Sequence, residues 1–140
     1  MTLPIVVADA SVVLKWFHAE DEEAVEPARA VLEAVADGQI ELVILDLTIY
    51  EIGNALLRSA GAGPEATATV LDALTEICEP TTLTTAERAH AARLAADHHL
   101  TFYDAAYAAV AQGHQGRLVT MDRELLAAGL GVRPQDVVAF

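Results

Sequence analysis

Three short apolar runs, at residues 4–8, 41–45 and 117–120, are kept far apart by long stretches patterned for helix. Strands spaced this way cannot pair as tight hairpins. Helical crossovers between them lay the strands parallel and cover both faces of the sheet. The helical stretches are read at residues 10–17, 21–37, 47–59, 65–77, 84–98, 102–112 and 123–128. Gly38 stops the second, and Gly61 to Pro64 separate the third from the fourth. Thr84 and Glu87 have the spacing of a capping box. Residues 81–83 are a candidate for a further strand, and residues 137–139 for a last one. With no repeat, linker or low-complexity segment, residues 1–140 read as one domain. Its fold class is α/β: three α/β/α layers around a central, mostly parallel sheet.

The charge narrows the function. The chain carries 8 basic against 21 acidic residues, a net of −13, which argues against broad, phosphate-tracking binding to a duplex. It does not argue against a nucleic-acid enzyme whose metal ions neutralise the substrate. The lone cysteine, Cys78, excludes an intramolecular disulfide and a cysteine-based zinc site. The first apolar run lacks a basic flank and ends at Asp9, so no secretory leader is expected. No apolar stretch is long enough for a membrane span. A cytoplasmic location is the expectation.

In parallel α/β sheets, ligand sites lie beyond the carboxyl ends of the strands. Asp9 directly follows the first strand, and Asp122 lies two residues past the strand at 117–120. Glu51 falls near the start of the helix after the second strand, and Asp104 near the start of the helix at 102. Each has a purely structural reading. Asp9 and Asp122 suit N-caps, Thr48 with Glu51 matches a capping box, and Thr101 with Asp104 is a weaker version of one. Convergence of all four on one crevice is harder to explain that way. Two unit charges about 4 Å apart repel by about 4 kcal/mol at an effective dielectric of 20. Such a crevice either takes up protons or takes a hard cation, Mg²⁺ or Mn²⁺, whose usual use is phosphoryl chemistry.

Four segments carry a family resemblance. They are Val7-Ala-Asp9-Ala-Ser11-Val-Val-Leu-Lys15-Trp-Phe17, Tyr50-Glu51-Ile-Gly-Asn54-Ala-Leu56, Thr101-Phe-Tyr103-Asp104-Ala-Ala-Tyr107 and Leu118-Val-Thr120-Met-Asp122-Arg-Glu-Leu125. In this order they resemble the PIN-domain ribonucleases, in particular VapC toxins of toxin–antitoxin modules. Family members often have proline before the glutamate helix, where this chain has Asp46-Leu47-Thr48. The resemblance implies a PIN-like fold and a divalent-metal-dependent endoribonuclease. It makes Asp9, Glu51, Asp104 and Asp122 the catalytic, metal-binding acids. Ser11 and Thr120 become accessory hydroxyls, and Asn54 a support for the glutamate helix or a residue lining the crevice. It also implies an RNA substrate, a homodimer and a VapB-type antitoxin that brings a basic side chain to the acids.

The expected mechanism is metal-assisted attack of water on phosphorus, with no histidine or covalent nucleophile. Basic residues for an RNA strand are sparse: Lys15, Arg58, Arg88, Arg93, Arg117, Arg123 and Arg133. They suit a local grip on a short single-stranded target, and Arg123, beside Asp122, is the expected substrate contact. Other readings fit the residues less well. A receiver-type phosphoacceptor needs a lysine at a late strand end, but the chain's lysine is Lys15, in the first helix. A non-catalytic α/β binding module would use the acids only as caps, and metal-dependent activity separates it from a nuclease.

Overall fold

The computed structural model describes residues 2–18 and 24–137. Its elements are β1 (Ile5–Ala8), α1 (Ala10–Phe17), α2 (Val25–Ala36), β2 (Glu41–Val43), α3 (Asp46–Arg58) and α4 (Pro64–Ile77). They continue with α5 (Thr85–His98), α6 (Phe102–Gly113), β3 (Arg117–Val119), α7 (Arg123–Ala127) and α8 (Pro134–Val137). The strands form a parallel sheet in the order β2-β1-β3. Single parallel bridges extend it at each edge, Leu45 with Thr81 and Val119 with Val132. The expected three-layer α/β architecture is thus present.

Side-chain alternation along each strand builds two cores. Val6 and Ala8 of β1 face one core with α1, α2, α3 and α4, while Val7 faces the other with α5, α6 and α7. Leu42 against Val43, and Val119 against Leu118, repeat this division on β2 and β3. Helix α6 is buried at every position from Ala105 to Ala111. A helix apolar all round must be covered on all sides, and its alanines let it lie between the sheet and α5. Gly116 joins α6 to β3 where an added Cβ would lie 2.8 Å from the Ile5 carbonyl oxygen, so no larger residue fits against β1. Among the described residues, no helix is long and apolar enough to cross a membrane.

Three sequence expectations change. The candidate strand at 81–83 reduces to the single bridge at Thr81, whose N–H donates to the Ile44 carbonyl and whose carbonyl accepts from Asp46 N–H, both at 2.8 Å. One rung completes the sheet there before the chain turns into the Thr84 cap. The last expected strand does not form where described: Val137 closes α8, packed in the α1–α2 core, and residues 138–139 lie outside the described residues. The capping box at Thr48 is also absent. Helix α3 begins at Asp46 after Leu45, without a side-chain cap, and Thr48 lies fully buried inside it. The box at Thr84 and Glu87 forms as expected, at 3.1 and 2.9 Å.

Candidate active site

Parallel strands deliver their carboxyl ends to one edge, and Asp9 stands there, between β1 and α1. It caps α1, with Oδ1 accepting from Ser11 N–H at 3.1 Å and from the Ser11 hydroxyl at 2.5 Å. Oδ2 accepts from the Thr120 hydroxyl. Both hydroxyls also accept a backbone bond from the turn after β3: Ser11 Oγ from Met121 N–H and Thr120 Oγ1 from Asp122 N–H, each at 2.9 Å. Two hydroxyl bridges therefore tie Asp9 to the backbone of residues 121 and 122, across two adjacent strands. Asp9 is 4% exposed and Thr120 fully buried. Burial pushes the Asp9 carboxyl up to about 6, against the downward pull of the Ser11 and Thr120 hydrogen bonds.

Asp122 caps α7 through one oxygen: Oδ1 accepts from Glu124 N–H at 2.9 Å and Leu125 N–H at 3.0 Å. Asp104 enters from α6, where Thr101 caps the helix by accepting from the Asp104 N–H at 3.1 Å. Burial raises the Asp104 carboxyl above its ordinary value, and the negative charge of Asp122 adds to it, followed by Glu51 and Glu124. Asp104, Asp122 and Glu124 each present a carboxylate oxygen, all within 4.8 Å of one another.

Glu51 is held from below. Its Oε1 accepts from the Tyr107 hydroxyl at 2.5 Å, and that hydroxyl lies 3.0 Å from Thr48 Oγ1. Burial and the hydrogen bond to Glu51 hold the Tyr107 hydroxyl protonated far above its ordinary range, with the charges of Glu51 and Asp9 adding to the effect. Asp104 thus senses Asp122 and Glu51, and Tyr107 senses Glu51 and Asp9. Of the four expected acids, Asp104 and Asp122 come together with Glu124, Glu51 acts on Asp104 through its charge, and Asp9 is linked to Asp122 through the Thr120 hydroxyl.

The donor set fits a hard divalent cation. It consists of carboxylate oxygens, held by caps and hydroxyls rather than by counter-cations. Among the described residues no arginine is paired with these acids. Burial raises both Asp9 and Asp104; at Asp104 the charges of Asp122, Glu51 and Glu124 add to it, and that repulsion is what a cation would relieve.

The PIN domain family profile matches residues 6–129. The chain belongs to the PIN-domain family. Two curated relatives from Pyrobaculum aerophilum place it among VapC-type members. It is 42% identical over 92 residues to Exonuclease VapC9, covering 65% of this chain and 69% of that protein. It is 34% identical over 124 residues to Ribonuclease VapC3, covering 85% and 90%. A toxin–antitoxin complex from Klebsiella pneumoniae shares the fold, with a TM-score of 0.71 and 18% identity over 92% of this chain and 97% of that one.

Not every expected residue joins the acids. Asn54 is exposed on α3 and makes no side-chain hydrogen bond among the described residues. Arg123 lines a separate groove with Arg133, because consecutive positions at the start of α7 point about 100° apart. Two contributors escaped the sequence reading. Glu124 was given no role, although Asp122-Arg-Glu124 carries the two acids on one short segment. Tyr107 lies one turn after Asp104, a spacing that puts both on one helix face.

Proposed function

We propose that this chain is a metal-dependent endoribonuclease, the toxin of a VapBC-type module. The observation that carries this reading is the Asp104–Asp122–Glu124 oxygen cluster beside the hydroxyl-tethered Asp9. Asp9, Asp104 and Asp122 would hold Mg²⁺ or Mn²⁺, with Glu51 and Glu124 completing the acidic ring. A bound divalent cation supplies an activated water and stabilises the charge that develops on the phosphate. Ser11 and Thr120 keep Asp9 oriented and fix the backbone before Asp122. Tyr107, held protonated, remains a donor to Glu51 and sets that carboxylate's orientation. Internal cleavage is what the VapC type implies for the RNA substrate.

A basic antitoxin segment is the expected inhibitor, and the net charge of −13 supports this. A homodimer is the expected assembly. Exposed Tyr50 and Leu57, seven residues apart on α3, provide an apolar face for it.

The test is cleavage of total RNA and of defined tRNA by purified, antitoxin-free protein in Mg²⁺, Mn²⁺ or EDTA, beside Asp104→Asn. Discrete internal fragments that need metal and disappear in the variant are expected. Cleavage that survives EDTA or the substitution overturns the reading, and release of single nucleotides from labelled ends overturns its endonucleolytic part.

A further inference from the structure

A groove of about 530 Å³ opens beside the acids, walled by the start of α2, the turn into α7 and the start of α8. Its apolar walls come from Pro27, Met121, Leu126 and Pro134, and its charge from Arg123 and Arg133. The chain has 8 basic residues against 21 acidic ones, yet two of the eight face this one groove. Among the described residues, no ion pair or side-chain hydrogen bond engages either guanidinium. In so acidic a protein, two arginines lining one groove without a carboxylate partner among the described residues suit an anionic occupant.

The groove is rigidly joined to the catalytic edge. Met121, in its wall, donates its N–H to Ser11 Oγ, the same hydroxyl that holds Asp9. Arg123 follows Asp122 across one trans peptide, so their Cα atoms are about 3.8 Å apart. The groove and the acid site therefore share the turn at residues 121–123, with Met121 and Arg123 in the groove wall on either side of Asp122. Apolar walls with two guanidiniums suit a base and its phosphate. The volume falls in the range of small-molecule sites, which admits a nucleotide and excludes a duplex.

We propose that this groove is a nucleotide subsite for the single-stranded RNA substrate, in which Arg123 and Arg133 hold a phosphate flanking the scissile one. The inference rests on the ribonuclease reading and adds to it the part of the surface that the strand follows. It also explains how a protein with a net charge of −13 grips RNA: the attraction is confined to one groove instead of spread over a basic face.

The test is fluorescence anisotropy of a labelled single-stranded oligouridylate in EDTA, across a salt series, with wild type and the Arg123→Ala/Arg133→Ala double variant. Circular dichroism checks folding, and Mn²⁺ titration checks the acids separately. Both arginines are exposed, so the fold is expected to survive. Loss of this phosphate contact should weaken binding at least tenfold and flatten the log–log salt dependence by about 0.7. Mn²⁺ binding should stay unchanged, and the Arg123→Lys/Arg133→Lys variant should recover much of the salt slope. Equal affinity and slope in wild type and double variant overturn the proposal. So does competition by a short polyglutamate peptide as strong as that by unlabelled RNA, which would make the groove a site for an acidic protein segment. Failure of Mn²⁺ to bind wild type would count against the metal-dependent reading and leave the anisotropy result to judge the groove.

Discussion

Replacing Asp9 by asparagine should stabilise the metal-free protein while abolishing its activity. The buried carboxyl has its pKa raised from 3.8 to about 6. A carboxyl that binds its proton more tightly when folded makes folding less favourable once it ionises. The penalty is absent below pH 4, grows as pH rises toward 6 and is complete above it. A shift of roughly two units corresponds to about 3 kcal/mol at neutral pH, and to about half of that at pH 5.

Asparagine keeps the shape and removes the charge. Its amide group, however, meets a hydroxyl of Ser11 or Thr120 that now lacks an acceptor, at a cost of about 1 kcal/mol. The net expectation at pH 7 in EDTA is a gain of about 2 kcal/mol, or roughly 6 °C in melting temperature for a chain of this length. Thermal unfolding of both proteins in EDTA at pH 5 and pH 7 measures it, and the gap should shrink to under about 1 kcal/mol at pH 5. Saturating Mn²⁺ should reverse the order, because at a hundredfold excess over Kd it adds about 2.7 kcal/mol to wild type and far less to the variant. A variant less stable than wild type at pH 7 in EDTA, or one that gains as much from Mn²⁺, would refute this reasoning.

Other substitutions probe the supports of the site. Thr120→Val removes the donor to Asp9 and the acceptor for Asp122 N–H; calorimetry should show a loss of about 2 kcal/mol and Mn²⁺ titration a 10- to 100-fold weaker affinity of the order seen for second-layer ligand supports. Tyr107→Phe frees Glu51 and leaves buried Thr48 without its partner; turnover should fall about tenfold, with about 1–2 kcal/mol lost in urea unfolding. Gly131→Ala would place a Cβ 2.7 Å from Thr120 Cγ2; the displaced threonine should cost about 1–3 kcal/mol in thermal unfolding and weaken Mn²⁺ binding, whereas alanine at Gly63, where nothing lies within 4 Å, should leave Mn²⁺ binding unchanged.

The parallel sheet and its layers were legible because the strand runs are apolar on both sides, and burial on both faces is what the sheet imposes on Val6, Val7 and Ala8. The acids at the strand ends were legible because capping and cation binding ask for the same residue at the same place. Asp9 and Asp122 cap their helices, and Asp122 also joins Asp104 and Glu124 in the oxygen cluster, so capping does not exclude a second use of the same carboxylate. Thr48 was misread because the capping-box rule looks three residues ahead, while its partner, Tyr107, lies 59 residues away. Glu124 was missed because a first-turn acid satisfies the helix dipole whether or not another helix brings Asp104 beside it. Arg123 was expected as a substrate contact from its adjacency to Asp122, and α7 places it in the neighbouring groove with Arg133.

The central claim, that the acids at the carboxyl edge of the sheet form a cation site, is tested most directly by anomalous diffraction from crystals of the chain soaked in Mn²⁺. An anomalous peak bounded by Asp9, Asp104 and Asp122, about 2.0–2.2 Å from carboxylate oxygens and absent from Asp9→Asn crystals, is the expected result. A saturated crystal with no peak among these acids, or with its peak elsewhere on the surface, would contradict it.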